Sequence, residues 1–519
     1  MLHLLLRERP VSGRTVRGCL ALAAAVVLVG VTAGCGSTAV PTGPGGANPT
    51  GQGGLGTGSA APGSDAAAGT VPGTAAGAVG AGAQGSGTAG GPGGSTGRTV
   101  AGSGPTGAGV ATSAPQGSVK AASIAIGFIY PTHTEELTAI GVSGVSTGDP
   151  HAQAQAIVDA LNRGGGIAGR RIVPLYYGID TSQYLSNPDP QFQAACAYFT
   201  QDNKVFAVVS YLDAEQAGSP GFYYCLAQHN TVFVDDASGI TSAEYRKLGP
   251  YFYQPSNFLA ERGMATYIGG LAAMNWLNPT TKIGVFYVDT SQARDLIAHV
   301  IIPMLSARGL KVTAQGGTGT GAGGINDIPG IVLKFRQAGV TNILNLTNPI
   351  FFMQQADSQR YYPRYALSST FSPSTMQTIA PKDQLPGAAS IGWQPINDVD
   401  QAHDPGPVSA NETRCLQLMR NAGQDTSNRT VQMYEAQLCD PMFFLQQALR
   451  GATTVSPAVL ADRVYALGRS FPSALTFGTF FQRGRPDGAG AYRPSLYDTG
   501  CGCFVYTGPT RPSFDPPAS

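Results

Sequence analysis

The sequence predicts an α/β protein: two lobes, each a doubly wound parallel sheet, held behind a disordered Gly/Ala-rich tether. Three observations lead there. From Ser123 onward, short β-branched runs alternate with amphipathic stretches, the pattern of parallel strands covered by helices. That series starts again at Lys282. Composition also changes abruptly at Lys120, because Gly36 to Val119 is nearly all Gly, Ala, Ser, Thr and Pro, with only Asp65 and Arg98 charged. The chain beyond Lys120, roughly 400 residues, is long enough for two separate cores.

The N-terminus carries Arg7, Arg9, Arg14 and Arg17 ahead of an apolar run from Leu20 to Val31. A basic head before a short apolar core reads as a secretory signal peptide, here residues 1–34. Thr32-Ala33-Gly34-Cys35 resembles the lipobox of bacterial lipoproteins, with Thr32 in place of the usual leucine. That resemblance implies cleavage before Cys35 and a diacylglycerol on its sulfur. Two acyl chains suffice for stable anchoring. No later stretch has the roughly 18 uninterrupted apolar residues of a membrane span. The expected location is therefore the extracytoplasmic face of the cell membrane, lipid-anchored. Residues 35–119 cannot bury enough surface to offset chain entropy. As a flexible coil they would reach on the order of 50 Å.

The folded part reads in order. Ser123–Ile129 is a buried strand, and Pro150 to Asn162 a helix capped by Asp149 and ended by Gly164 to Gly166. Strands come next at Arg171–Tyr177, Lys204–Ser210 and Thr231–Val234, with helices at Pro190–Thr200 and Ala260–Asn275. The second series has strands at Lys282–Val288, Leu310–Thr313 and Asn342–Leu346, and helices at Gln292–Ala307 and Ile328–Gln337. Beyond Asp400, helices at Val431–Arg450 and Pro457–Leu467 precede short strands around Tyr492, Tyr497 and Phe504 to Tyr506. In such sheets ligands bind beyond the carboxyl ends of the strands.

Formal charge is +1, with no basic run, so nucleic acid is not an expected partner. No phosphate-binding G-x-x-x-x-G-K-[ST] loop occurs, and neither cofactor nor metal is expected. The cysteines of the folded part are Cys196, Cys225, Cys415, Cys439, Cys501 and Cys503. An oxidising compartment favours disulfides, but sequence does not choose the pairing. Short separations favour Cys196–Cys225 and Cys415–Cys439. Cys501 and Cys503 either pair across Gly502 in a small ring or form a CxC metal site lacking a second ligand pair.

Ala160-Leu161-Asn162-Arg163-Gly164-Gly165-Gly166-Ile167-Ala168-Gly169-Arg170-Arg171-Ile172 ends a helix, turns twice and starts a strand. It resembles the N-x-x-G-G-I-x-G hairpin of the type I periplasmic binding proteins, the branched-chain amino-acid receptor group. Element order agrees from about Lys120 to about Pro395. The resemblance implies two doubly wound parallel-sheet lobes joined by a hinge, with crossings near Gln254–Asn257, Trp393–Ile396 and Ser470–Leu475. The two-lobed domain would span 120–510, with lobe 1 at 120–256 and 396–474, lobe 2 at 257–395 and 475–510, and a tail at 511–519. It also implies a Cys196–Cys225 disulfide joining the helices on either side of the third strand.

The expected activity is capture of a small organic ligand between the lobes of a monomer, read by the permease of an ABC-type importer. The alternative is a ligand-sensing domain signalling to a membrane sensor partner. Candidate ligand-binding residues at strand ends are Tyr130, Thr132, Ser210, Tyr211, Asp236, Ala237 and Ser238 in lobe 1. In lobe 2 they are Tyr287, Asp289, Asn348, Ser369 and Thr370. Ser210, Ala237 and Ser238 match the positions that hold a ligand carboxylate in the family. Two departures stand out. Leu367-Ser368-Ser369-Thr370-Phe371-Ser372 lacks the acid that would hold an ammonium, and Gln292-Ala293 replaces the family's Tyr-Gly. An unpaired buried ammonium is costly, so the ligand is not expected to be an ordinary α-amino acid unless Asp236 or Asp289 supplies the charge.

Two other readings compete. Gly144-Val145-Ser146-Thr147-Gly148 matches G-x-S-x-G but lies far beyond its strand, so a secreted hydrolase is the weaker alternative. His133, Glu135, Glu136 and His151 lack a metal-site spacing and read as a solvated polar loop.

Overall fold

The computed structural model describes residues 123–135, 146–210, 212, 219–236, 239–320 and 322–517. The signal segment, Cys35, the linker, Glu136, Gly144, Val145, Tyr211, Ala237 and Ser238 lie outside the described residues.

Among the described residues the strands form two sheets. The first has the order β2-β1-β3-β4-β5, all parallel, from Ser123–Thr132 (β1), Arg171–Asp180 (β2), Ala207–Ser210 (β3), Val232–Asp235 (β4) and Phe252–Tyr253 (β5). The second contains Ile283–Val288 (β6), Val312–Thr318 (β7), Asn342–Asn345 (β8), Arg364–Ser368 (β9), Ala389–Gly392 (β10), Ala491–Asp498 (β11), Cys503–Tyr506 (β12) and Arg511–Pro512 (β13). Its parallel part is β7-β6-β8-β9-β10; β11 then runs antiparallel to β10, and β12 and β13 antiparallel to β11. The order reverses between β1 and β3, and again between β6 and β8, which are the places where doubly wound sheets bind ligands.

Every residue of β3, β4 and β10 is buried, so these strands show no alternation of buried and exposed positions. The helix Pro150–Arg163 begins where Asp149 accepts from Ala152 N at 3.0 Å and turns Ala154, Ile157, Val158 and Leu161 inward against Ile126 and Phe128. Its end is a double turn. Gly165 and Gly166 take φ of 95° and 70°, and a Cβ on Gly166 would lie 1.8 Å from Arg170 O. Ile167 and Arg170 then exchange backbone hydrogen bonds across Ala168 and Gly169, both at positive φ. Asn162 closes the motif: its Oδ1 accepts from Ile172 N at 2.7 Å and its Nδ2 donates to Ile172 O at 3.0 Å.

Several boundaries differ from the sequence reading for identifiable reasons. β3 begins at Ala207 because Lys204 has φ 48°, outside extended geometry. The helix expected at 292–307 is two α-helical pieces, Ser291–Leu296 and Ile302–Ser306, around a wide π turn at Ile297–Ile301. Pro303 has no N–H to give His299 O, and the widened turn precedes it. β7 runs on to Thr318 through Gly316, where a Cβ would meet Ile331 at 2.1 Å. The strands β9 and β10 and the helices Ile350–Ser358 and Ala410–Asn421 were not read from residue pattern.

Cys196 and Cys225 are disulfide-bonded, as are Cys415 and Cys439, and Cys501 and Cys503. The first bond joins the helices Asp189–Ala197 and Gly221–Gln228; the second joins Ala410–Asn421 to Arg429–Ala448. No described helix is long and apolar enough to cross a membrane.

Candidate functional site

Three passages of chain tie the lobes together. After β5, residues 254–259 lead into the helix Ala260–Ala273, which packs in the core of the second sheet. After β10, residues 393–398 lead back toward the helix Arg429–Ala448, which packs on the first. Phe481 still packs in that first core, and the chain then reaches β11 through Asp487 and Ala489. Backbone bonds join the passages: Gly488 N donates to Gln254 O at 2.7 Å, Ala489 N to Asn257 O at 3.1 Å, and Phe477 N to Trp393 O at 3.3 Å. Gln394 Nε2 donates to Ser256 O at 3.0 Å. Arg262 is buried against Asp487 and donates to Ala489 O at 2.9 Å.

Beside this junction, at the carboxyl ends of the second sheet's strands, is a cavity of about 940 Å³, counting its open mouth. Val288 ends β6 and Thr290 follows it, Leu346 and Thr347 follow β8, and Ser368 ends β9 with Thr370 and Phe371 after it. Gln292, Ala293 and Leu296 come from the helix after β6. Asn257, Phe258, Ala260, Gly263 and Met264 come from the first passage and its helix, and Trp393 from the second. Among the described residues, Gly239, beyond β4, is the first lobe's contribution. Phe258 and Trp393 meet edge to face with ring centres 5.1 Å apart. Among the described residues lining the cavity, none is charged.

Of the residues expected from sequence, Thr370 lines this cavity. The other described candidates stand near strand ends, most with a polar atom engaged within the protein. Ser210 Oγ accepts from Leu212 N at 2.8 Å. Thr132 Oγ1 donates to Ile179 O at 3.2 Å, and Tyr130 packs against His151 and Tyr176. Asp236 Oδ1 accepts from Ser256 N at 2.7 Å, and burial followed by the nearby Asp440 pushes its carboxyl well above the usual range. Burial also raises the Tyr287 hydroxyl, with Asp289 adding to it. Asp289 is half-exposed and paired with Arg294 at 2.9 Å. Asn348 Oδ1 accepts from Ile350 N at 3.0 Å, in the turn before a helix. Ser369 is buried, donates to Asp398 Oδ1 at 2.7 Å and accepts from Trp393 N at 2.7 Å.

Sequence reasoning did not select Phe258, Met264, Leu296 or Trp393 as site residues. It had two usable signals. Gln292-Ala293 departs from the family pattern, and Trp393 stands at an expected crossing.

The other two patterns resolve locally. Ser146 Oγ accepts from Gly148 N at 3.4 Å. His133 Nδ1 is 3.0 Å from Asp180, while the His151 ring lies 4.1 Å from that of Tyr176. His403 sits beside the Cys501–Cys503 disulfide, its Nδ1 3.5 Å from Cys503 Sγ.

No family model matches the sequence, and no curated protein does. Solved structures do. A branched-chain amino-acid ABC transporter protein from Thermus thermophilus with bound valine aligns over 76% of this chain and 97% of its own, at 12% identity and TM-score 0.55. A substrate-binding periplasmic protein from Ralstonia solanacearum covers 74% and 100%, at 17% identity and TM-score 0.55. The fold is that of the type I periplasmic binding proteins. A solute-binding protein of an ABC transporter from Rhodopseudomonas palustris BisB5, in complex with 3,4-dihydroxybenzoic acid, shares it at 12% identity and TM-score 0.53, over 76% of this chain and 99% of its own. In a type I periplasmic binding fold the carboxyl ends of the two sheets face each other across the hinge, and the Phe258–Trp393 cavity lies on that side of the second sheet.

Proposed function

We propose that this chain is an extracytoplasmic solute-binding lipoprotein that captures a small organic ligand between its lobes and presents it to an ABC-type importer. The observation that carries this reading is the uncharged cavity at the carboxyl ends of the second sheet, bordered by the hinge passages and by Gly239 of the first lobe. A ligand held there and by the loops after β3 and β4 binds the closed arrangement better than an open one. It therefore shifts the population toward a form that a permease can read. Two of the proteins sharing the fold are named a substrate-binding and a solute-binding protein, which supports a binding role.

Ligand capture is tested by thermal denaturation of the intact mature chain against a broad metabolite set. A concentration-dependent rise in Tm with a defined solute is expected; no rise with any solute overturns the reading. Lipid on Cys35 is tested by mass spectrometry of the mature N-terminus, and an unmodified Cys35 removes the anchor.

A further inference from the structure

We infer that the Cys501–Cys503 disulfide is a thiol-exchange centre, at which the thiolate of a small molecule attacks Cys501 and Cys503 leaves as a thiolate beside His403. This chemistry is independent of what the cavity binds.

The bridge does little for the fold. A disulfide stabilises chiefly by closing a loop in the unfolded chain, and more so for longer loops. The other two disulfides span sequence separations of 29 and 24, and this one spans 2. Its turn is also held without it. Asp498 pairs with Cys503 across β11 and β12, Gly502 N donates to Asp498 O at 2.8 Å, and Gly500 N donates to Asp498 Oδ1 at 2.7 Å. Opening the bond leaves these hydrogen bonds in place.

The two sulfurs differ in access. Cys501 is exposed in the turn, whereas Cys503 is 2% exposed. An incoming thiolate therefore reaches Cys501. Cys196, Cys415 and Cys439 are fully buried, and Cys225 is partly buried against the core that holds Cys196. The leaving side is also prepared. His403 places Nδ1 3.5 Å and Nε2 3.6 Å from Cys503 Sγ. Asp400 fixes that ring, with its Oδ1 2.7 Å from His403 Nδ1 and accepting from His403 N at 3.0 Å. Gln377 ties the loop to β12: its Nε2 donates to Asp400 Oδ2 at 3.3 Å, and its Oε1 accepts from Phe504 N at 2.8 Å. With Nδ1 engaged by Asp400, Nε2 is left to face the sulfur.

The exchange balances in two steps. The incoming sulfur bonds to Cys501 Sγ, the Cys501–Cys503 bond breaks, and its electron pair goes to Cys503 Sγ. The protonated His403 ring stabilises that thiolate by its charge, and a better-stabilised thiolate leaves faster. A second small thiolate then attacks the foreign sulfur of the mixed disulfide and releases Cys501 as a thiolate. The chain gains two electrons, and two small thiols become one small disulfide.

The probe is reduced glutathione, added to the intact mature chain under native conditions. Samples are quenched in acid over time, alkylated and mapped by peptide mass spectrometry. The Cys501–Cys503 bond is expected to open at least about tenfold faster than Cys196–Cys225 or Cys415–Cys439. Glutathione is expected on Cys501 and the alkylated thiol at Cys503. His403→Gln keeps a polar side chain that cannot carry the charge, and is expected to slow opening about tenfold with Tm unchanged. Opening no faster than the two buried bridges overturns the proposal, as does glutathione on Cys503 or an unchanged rate in His403→Gln. Should that variant fail to fold, the opening rate and the position of glutathione in the wild-type chain decide alone.

Discussion

Ala168 stands where a left-handed backbone is required, with φ 53° beside Gly169 at 72°. Ile167 and Arg170 close the turn with two backbone hydrogen bonds, and both central residues at positive φ make it a primed turn, which Asn-Gly favours most strongly. An alanine in that region costs about 1–2 kcal/mol. Asparagine tolerates it without the added chain entropy of glycine. Ala168→Asn is therefore expected to raise stability by roughly 0.5–1 kcal/mol, and Ala168→Val to lower it, both read from urea midpoints at constant m-value. The same motif shows what was legible at this scale. The asparagine and glycines of the hairpin were visible as a pattern. The reason for Asn162, a two-point bond to the backbone of Ile172, needed the strand brought alongside the helix end.

The helix Arg429–Ala448 carries an acid that its position does not favour. Glu435 is buried, and neither carboxyl oxygen has a hydrogen-bond partner. Burial, then Asp425, push its pKa up to about 8, with Arg420 opposing. The folded state thus holds a proton that the unfolded chain releases near pH 4.3. Stability is present below that range and falls as pH rises through about 8. Glu435→Gln is expected to leave Tm nearly unchanged at pH 5 and to raise it at pH 9, as measured by thermal denaturation. Part of the slope should persist, because burial also raises Asp398, Asp440 and Glu412 to about 7. Elements with strong local signals were readable: Pro150–Arg163, Ile328–Gln337 and Pro457–Leu467 follow their caps, prolines and periodicity. β9 and β10 were not, since Arg364–Ser368 and Ala389–Gly392 are short, are buried but for Arg364, and are defined by neighbours distant in sequence. The cavity wall was hidden for the same reason. Phe258 and Trp393 are 135 positions apart and meet only when the first and second passages pair.

At the scale of the whole molecule, the proposed lobe closure would draw on hydrogen bonds that run from one lobe to the other. The passages at the hinge remain bonded to one another through Gly488 and Gln254, Gln394 and Ser256, and Arg262 and Asp487. Gln292 is different. It sits on the second lobe, at the start of the helix after β6, yet its Nε2 donates to Gly239 O at 3.1 Å and to Glu244 Oε2 at 3.2 Å on the first. It also lines the cavity, so one side chain both touches the ligand space and bridges the lobes. Glu244 caps its own helix with Thr241, and a hydrogen bond to a carboxylate contributes about 1.5–3 kcal/mol. Gln292→Ala removes this bridge between the lobes. The expected outcome is a solute affinity about tenfold weaker or more, with Tm in the absence of solute nearly unchanged, and a larger ligand-free radius of gyration by small-angle scattering. Gln292→Glu would place a second carboxylate against Glu244 and should open the lobes further, the effect shrinking at high salt. Unchanged affinity and radius in both variants would assign closure to the hinge passages and the ligand, with no contribution from this bridge.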